Sequence, residues 1–248
     1  MELKTLCDFC AEYLEVDRFN DYCPNGLQVE ANPEVGHIVC GVTASQALID
    51  AAIAAGADTL LVHHGYFWKG EAQPITGIKG RRIASLLRNR INLLAYHLPL
   101  DAHAEVGNNV QLARVMDWRL ERSGGEQGLL FEGSLARSMS LDELTRDIET
   151  RLDTKPLAIA GGDHAVRRIA WCTGAAQGFI EVAVEAGVDA FVSGEISEPT
   201  VHQARESGIH YIAAGHHATE RFGVQALARE IAERFGVRQQ FIDIPNPV

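Results

Sequence analysis

No apolar stretch in this 248-residue chain approaches the length of a membrane span, and no basic segment followed by an apolar run opens it. Those two absences predict a cytoplasmic protein. Cysteine is scarce and odd in number: Cys7, Cys10, Cys23, Cys40 and Cys172. A set so spaced does not make a disulfide framework. Cys7-x-x-Cys10 has no second pair to complete a zinc site, and it lies among Leu3, Leu6, Tyr13 and Leu14 at helical spacing. That context reads as reduced thiols in or near a core. Lys and Arg total 22 against 33 Asp and Glu, a net charge of -11, which argues against a surface built to hold duplex nucleic acid. There is no Gly-x-Gly-x-x-Gly, no Walker-type loop and no serine nucleophile elbow. What remains, 46% hydrophobic and 22% charged, is ordinary for a globular chain long enough for one large or two modest domains.

Histidine is the residue in excess, ten in all, and it clusters. Three groups stand out: His63-His64-Gly65, His97-Leu98-Pro99-Leu100-Asp101 and His216-His217-Ala218-Thr219-Glu220. Each follows an apolar run of strand length: Thr59–Val62, Leu93–Tyr96 and Tyr211–Ala214. Ligands just past strand ends are what an open α/β sheet offers at its carboxyl edge. Imidazole with carboxylate suits zinc, iron or manganese. Adjacent residues of a strand face opposite ways, so His63 and His64 can share a site only where the strand becomes irregular, and Gly65 supplies that irregularity. The i, i+4 spacing of His216 and Glu220 puts both on one helical face, and Gly215 lets backbone approach an ion. Asp101 alone would read as a helix cap. Its match to Glu220 favours a ligand. His97 has three readings: a ligand, a partner that orients Asp101, or a proton carrier. His103 shares that ambiguity. His217 reads as structural or as support behind the ligands, and His37, His164, His202 and His210 as structural or exposed.

An internal repeat sets the expected fold. Ile38–His64 lies over Ile169–Glu195 at a shift of 131 positions without a gap, pairing Gly56 with Gly187 and Asp58 with Asp189. The pattern is strand, turn, helix, Gly-x-Asp turn, strand, a βαβ unit with parallel strands. His97 and Asp101 fall on His216 and Glu220 at a shift of 119. The chain therefore reads as two related α/β domains from an internal duplication, 1–125 and 126–248, split at the Gly-rich stretch 123–128, with a C-terminal segment that can pack back on the first half. His63-His64 is replaced by Gly194-Glu195 in the second copy, so one shared site is expected rather than two equal ones. Ser140 with Glu143 predicts a capping box opening a helix to Leu152; a helix over Val224–Phe235 and a last strand over Gln240–Ile244 follow. Asn25-Gly26 reads as a turn without chemistry of its own. Tyr66-Phe67-Trp68 reads either as a stacking platform for a heterocycle or as an apolar loop for a neighbouring subunit.

Several segments together resemble one known family. They are Asn25–Glu30, Gly41–Ser45, Val62–Gly70, His97–His103, Gly194-Glu195, Gly215–Arg221 and Ile242–Pro247. Their residues and order are similar to the NIF-three-like (YbgI) family of GTP cyclohydrolase 1 type 2 homologues, across essentially the whole chain. The resemblance implies two related α/β domains, a dinuclear metal site between them and a toroidal homohexamer built as a trimer of dimers. It implies metal ligands at His63, His64, Asp101, His216 and Glu220, holding two divalent ions per subunit. The expected activity is hydrolysis of a nucleotide or related heterocycle. Two ions about 3.5–4 Å apart would activate a water against an electron-poor carbon such as guanine C8. Glu220 or Asp101 is the expected bridge, and His97 and Glu195 are the candidates for proton transfer or for support behind the ligands. The rival expectations are a metal-bearing ring that acts as a scaffold without turnover, and a ring threaded by nucleic acid. The second needs Arg81, Arg82, Arg88 and Arg90 to face its lumen.

Overall fold

The structure, a computed structural model, describes all residues from 1 to 248 as two compact units, one of Met1–Gly107 with Gly223–Ile244 and one of Asn108–Phe222 with Pro245–Val248. The first contains α1 (Leu3–Tyr13), β1 (Gly26–Val29), β2 (His37–Thr43), α2 (Gln46–Ala54), β3 (Thr59–His64), α3 (Gly77–Arg88), β4 (Asn92–Ala95) and α4 (Leu98–Ala102). The second contains α5 (Asn108–Met116), β5 (Arg119–Gly124), β6 (Leu130–Met139), α6 (Leu141–Leu152), β7 (Leu157–Ile159), β8 (Val166–Cys172), α7 (Ile180–Glu185), β9 (Ala190–Ser193), α8 (Glu198–Ser207), β10 (His210–Ala213) and α9 (His216–Thr219). Helix α10 (Arg221–Phe235) and strand β11 (Arg238–Phe241) follow. No helix is long and apolar enough to cross a membrane.

The first unit is a five-stranded sheet in the order β1-β4-β3-β2-β11, parallel except for β1. Its strands are apolar at successive positions because both faces are covered. Ile38, Cys40, Leu61, Leu94 and Tyr96 point to one side, with Leu3, Leu6, Cys10, Leu227 and Ile231 packed on them. Val39, Leu60, Val62, Leu93 and Ala95 point to the other, against Leu48, Ile49, Ala52, Ile83 and Leu86. Cys10 thus sits on α1 in this core, and none of the five cysteines forms a disulfide.

The second unit is a six-stranded sheet, β5-β6-β8-β9-β10-β7, in which β8, β9 and β10 run parallel. Trp171, Val192 and Ile212 pack there with Met116, Leu144 and Ile148. Ser140 caps α6, with the reciprocal bond from its own N–H to Glu143 completing the box.

Two expected boundaries move. The Gly-rich stretch is no linker: β5 pairs antiparallel with β6 as far as Gly124 with Leu130, so the glycines close a hairpin. Gly125 and Gly128 take the positive φ values, 69° and 76°, that such a turn requires. A hairpin held by ladder hydrogen bonds stays in one unit, and the division falls at Gly107 instead of 125. The last strand is Arg238–Phe241, parallel to β2 in the first unit.

The sequence repeat is matched at the level of single hydrogen bonds. Asp58 Oδ2 accepts the N–H groups of Gly36 and His37 at 2.8 and 2.9 Å, while its backbone bonds His37 O and receives Asn92 N. Asp189 does the same with Arg167 N, Arg168 N, Arg168 O and His210 N. Each aspartate ties the starts of three parallel strands. Replacing Asp58 or Asp189 by Ala leaves two strand N–H groups without their acceptor and is expected to cost about 1–3 kcal/mol in urea denaturation. Losses below about 0.5 kcal/mol at both positions, the level of an ordinary surface change, would contradict this role.

Candidate metal centre

In the first unit four expected residues come together where β3 and β4 end. His63 is fully buried, and its Nδ1 donates to the Tyr96 carbonyl at 2.8 Å. Its Nε2 then lies 3.4 Å from Asp101 Oδ1. Asp101 is brought back by a single turn, in which Leu100 N and Asp101 N both donate to His97 O. His64 faces Thr43 on the neighbouring strand, with Nδ1 3.2 Å from Thr43 Oγ1. The two rings sit 4.6 Å apart. Gly65 makes the strand end possible: a Cβ there would lie 2.1 Å from Gln28 Oε1 and 2.7 Å from Ala95 Cβ. His63, His64 and His97 each offer a ligand atom, all within 4.8 Å of one another.

His97 is held by residues that carried no chemistry in the sequence. Asp21 Oδ1 accepts from His97 Nδ1 at 2.7 Å, and Asn25 Oδ1 accepts the His97 backbone N–H at 2.6 Å. Asp21 also receives Tyr22 N, Asn25 Nδ2 and Leu98 N. Burial pushes the Asp21 carboxyl upward, but these donors, His97 foremost, outweigh it and hold it below the usual carboxylate range. Asp21, Cys23 and His97 also lie close enough to share an ion. The Asp21 oxygens are already engaged, however, and burial with the Asp21 charge pushes the Cys23 thiol up to about 12, so that trio is poorly suited to one. Trp68 stands edge-on to His97 at 5.0 Å, on a loop where Glu71 receives Phe67 N and Trp68 N and holds Phe67 at φ 66°. His103 is a turn residue, its Nδ1 accepting Glu105 N and Val106 N.

The second unit presents His216 and Glu220 across the single turn of α9, with Nε2 3.1 Å from Glu220 Oε2. His216 Nδ1 donates to Glu195 Oε1 at 2.7 Å, on the other edge of the ring. Two glycines shape the space. A Cβ on Gly174 would lie 2.1 Å from Glu220 Oε1, and one on Gly194 would lie 2.7 Å from His216 Cα. His217 is buried, and its backbone N–H bonds Val248 O. The repeat pairs Gly174 with Thr43 and Gly194 with His63, the signal in the sequence that marks both glycines. Asp21 and Asn25 left no such signal, since they reach His97 only through the tertiary fold.

Residues 1–247 match the family model described as Duf34/NIF3 (NGG1p interacting factor 3). The chain belongs to this family. A relative from Pseudomonas aeruginosa named GTP cyclohydrolase 1 type 2 homolog is 56% identical over 248 residues, covering 99% of this chain and 98% of its own. An Escherichia coli relative of the same name is 52% identical over 237 residues, 95% of each chain. Among solved structures, the NIF3 chain is similar over the full length of both to protein ybgI, of unknown function, with a TM-score of 0.96 and 49% identity. It is similar in the same way to TTHA1606 from Thermus thermophilus, at 0.92 and 34%.

The side chains of this NIF3 chain fit divalent ions by one shared feature. His63, His64 and His216 each have Nδ1 engaged by an oxygen outside the cluster, which leaves Nε2 for a metal. Burial lowers the His216 pKa, but the bonds and charges of Glu220 and Glu195 outweigh it and raise it to about 9. In the metal-free protein this group stabilises the fold fully below its unfolded pKa of 6.5, and the contribution fades as pH rises through about 9. An ion must displace that proton. Metal affinity is therefore expected to climb with pH up to about 9, by about tenfold per unit for one displaced proton. A pH-independent affinity between 7 and 9, measured by calorimetry, would contradict it. Gly174→Ala is expected to push Glu220 aside and flatten that dependence.

Proposed function

We propose that the chain is a metal-dependent hydrolase of the kind its relatives' shared name describes, acting on a nucleotide or a related heterocycle. His63, His64 and Asp101 from the first unit and His216 and Glu220 from the second together hold two divalent ions, zinc, iron or manganese. The observation that carries this reading is the common preparation of the imidazoles, each with Nδ1 tied and two of them with Nε2 beside a carboxylate. Such ions lower the pKa of water and stabilise negative charge developing on a substrate oxygen.

The chain's own groups supply the rest. His97, with Nδ1 committed to Asp21 and its ring near those of His63 and His64, is the group we assign to pass a proton to or from a substrate atom through Nε2. Asp21 keeps its ring in that pose. Trp68 and the exposed ring of Tyr22 flank His97 at 5.0 and 6.3 Å and offer flat apolar surface beside it. A toroidal homohexamer is the assembly in which we expect the site to work, with a small molecule or nucleotide as its substrate.

The test is a hydrolysis screen over purine nucleotides, with bound metal quantified in wild type and in Glu220→Ala. Metal-dependent turnover in the wild type, abolished together with part of the metal content in Glu220→Ala, is the expected result. Two tightly held ions without turnover of any nucleotide would favour a scaffold. No bound metal after reconstitution would refute the ligand assignment itself.

A further inference from the structure

The duplication relates His97 to His216, and the two histidines share something that His63 and His64 lack. The parallel strands superpose at a shift of 118 positions, Asn92 onto His210. Gly215, at φ 96°, is one extra residue that sets His216 a position further on. Each histidine thus follows the third parallel strand of its copy. Each has Nδ1 2.7 Å from a carboxylate oxygen, Asp21 for His97 and Glu195 for His216. The tethers on His63 and His64 are neutral, a carbonyl and a hydroxyl.

The two carboxylates come from unrelated places in the repeat. Asp21 precedes the first copy. Glu195 occupies the position of His64 in the second copy, because Ile38–His64 lies over Ile169–Glu195. The Thr43 hydroxyl that meets His64 in the first copy is replaced by Gly174, and Glu220 Oε1 comes so close that a Cβ would lie 2.1 Å from it. A ligand position in one copy has become a supporting carboxylate in the other. A carboxylate accepts only, so each fixes its imidazole as the Nδ1–H form with Nε2 presented.

We propose that Asp21 and Glu195 are a pair of positioning residues, one for each repeat-related histidine. Resting on the metal-centre reading above, Glu195 makes the ion bound through His216 Nε2 depend on an outer charge, while the ion bound through the neutral-tethered His63 beside Asp101 does not. The two ion positions are therefore unequal.

Zinc titrations of the full metal-free chain test this, with nitrogen-15 spectra of the histidine rings. Wild type is expected to bind two zinc ions. Glu195→Ala should weaken one of them by about 10- to 100-fold and leave the other unchanged. Glu195→Gln, which keeps an acceptor for Nδ1–H but no charge, should weaken the same ion less. His97 should appear as a single Nδ1–H tautomer in wild type and as a mixture in Asp21→Ala, which removes the acceptor. Wild-type affinity for both ions in Glu195→Ala, or equal weakening of both with a fall in Tm, would overturn the role of Glu195. An unchanged His97 tautomer in Asp21→Ala would overturn that of Asp21. A wild type that takes up no zinc would defeat the metal-centre reading and the role of Glu195 with it, while the role of Asp21 is still decided by the His97 tautomer, which can be read in the metal-free chain.

Discussion

The carboxylates of Asp58 and Asp189 set the register on which everything at the opposite sheet edge depends. Each holds two N–H groups at the start of one strand, while its backbone bonds that strand and the next but one. Three parallel strands are thereby aligned at their amino ends, and their carboxyl ends fall at fixed heights. In the first unit those ends deliver Thr43, His64 and Tyr96 side by side, with Thr43 opposite His64 in the register of β2 and β3. A slip by one residue would turn every side chain of a strand to the other face. His63 would then lose the Tyr96 carbonyl, and the interleaved apolar faces of the sheet would be exchanged.

From that common frame the two copies diverge by small changes. Where the first has Thr43 and His64, the second has Gly174 and Glu195. The exchange removes one imidazole, makes room for the Glu220 carboxylate and supplies a charge behind His216. The extra Gly215 bends the chain so that a single turn carries both His216 and Glu220. In the first copy Pro99 lies in the corresponding turn, and Asp101 folds back toward His63 rather than toward its own neighbour His97. The same frame thus carries unlike chemistry through differences at four or so positions.

How much of this the sequence made legible follows from the range of each interaction. Strand ends, the βαβ repeat, the capping box at Ser140 and the His-x-x-x-carboxylate turns are local patterns, and each forms near where the periodicity puts it. The hairpin at Gly124–Leu130 looks like a linker in the sequence because glycine marks both, and only the pairing of β5 with β6 separates the two cases. Asp21 and Asn25 reach His97 across more than 70 positions, through side-chain hydrogen bonds with no periodic trace. Asn25-Gly26 has the residues of a plain turn, yet its side chain fixes the backbone of the candidate proton carrier.

The central claim is that prepared imidazoles and carboxylates from both copies serve one dinuclear centre. Anomalous diffraction at the zinc edge, on crystals of the zinc-loaded chain, tests it most directly. The account predicts two peaks per chain, bonded through Nε2 of His63, His64 and His216, with Asp101 and Glu220 as the carboxylate ligands and the Nδ1 tethers kept. Peaks bonded through Nδ1, ions placed away from these five residues, or an ordered structure without a peak would contradict it.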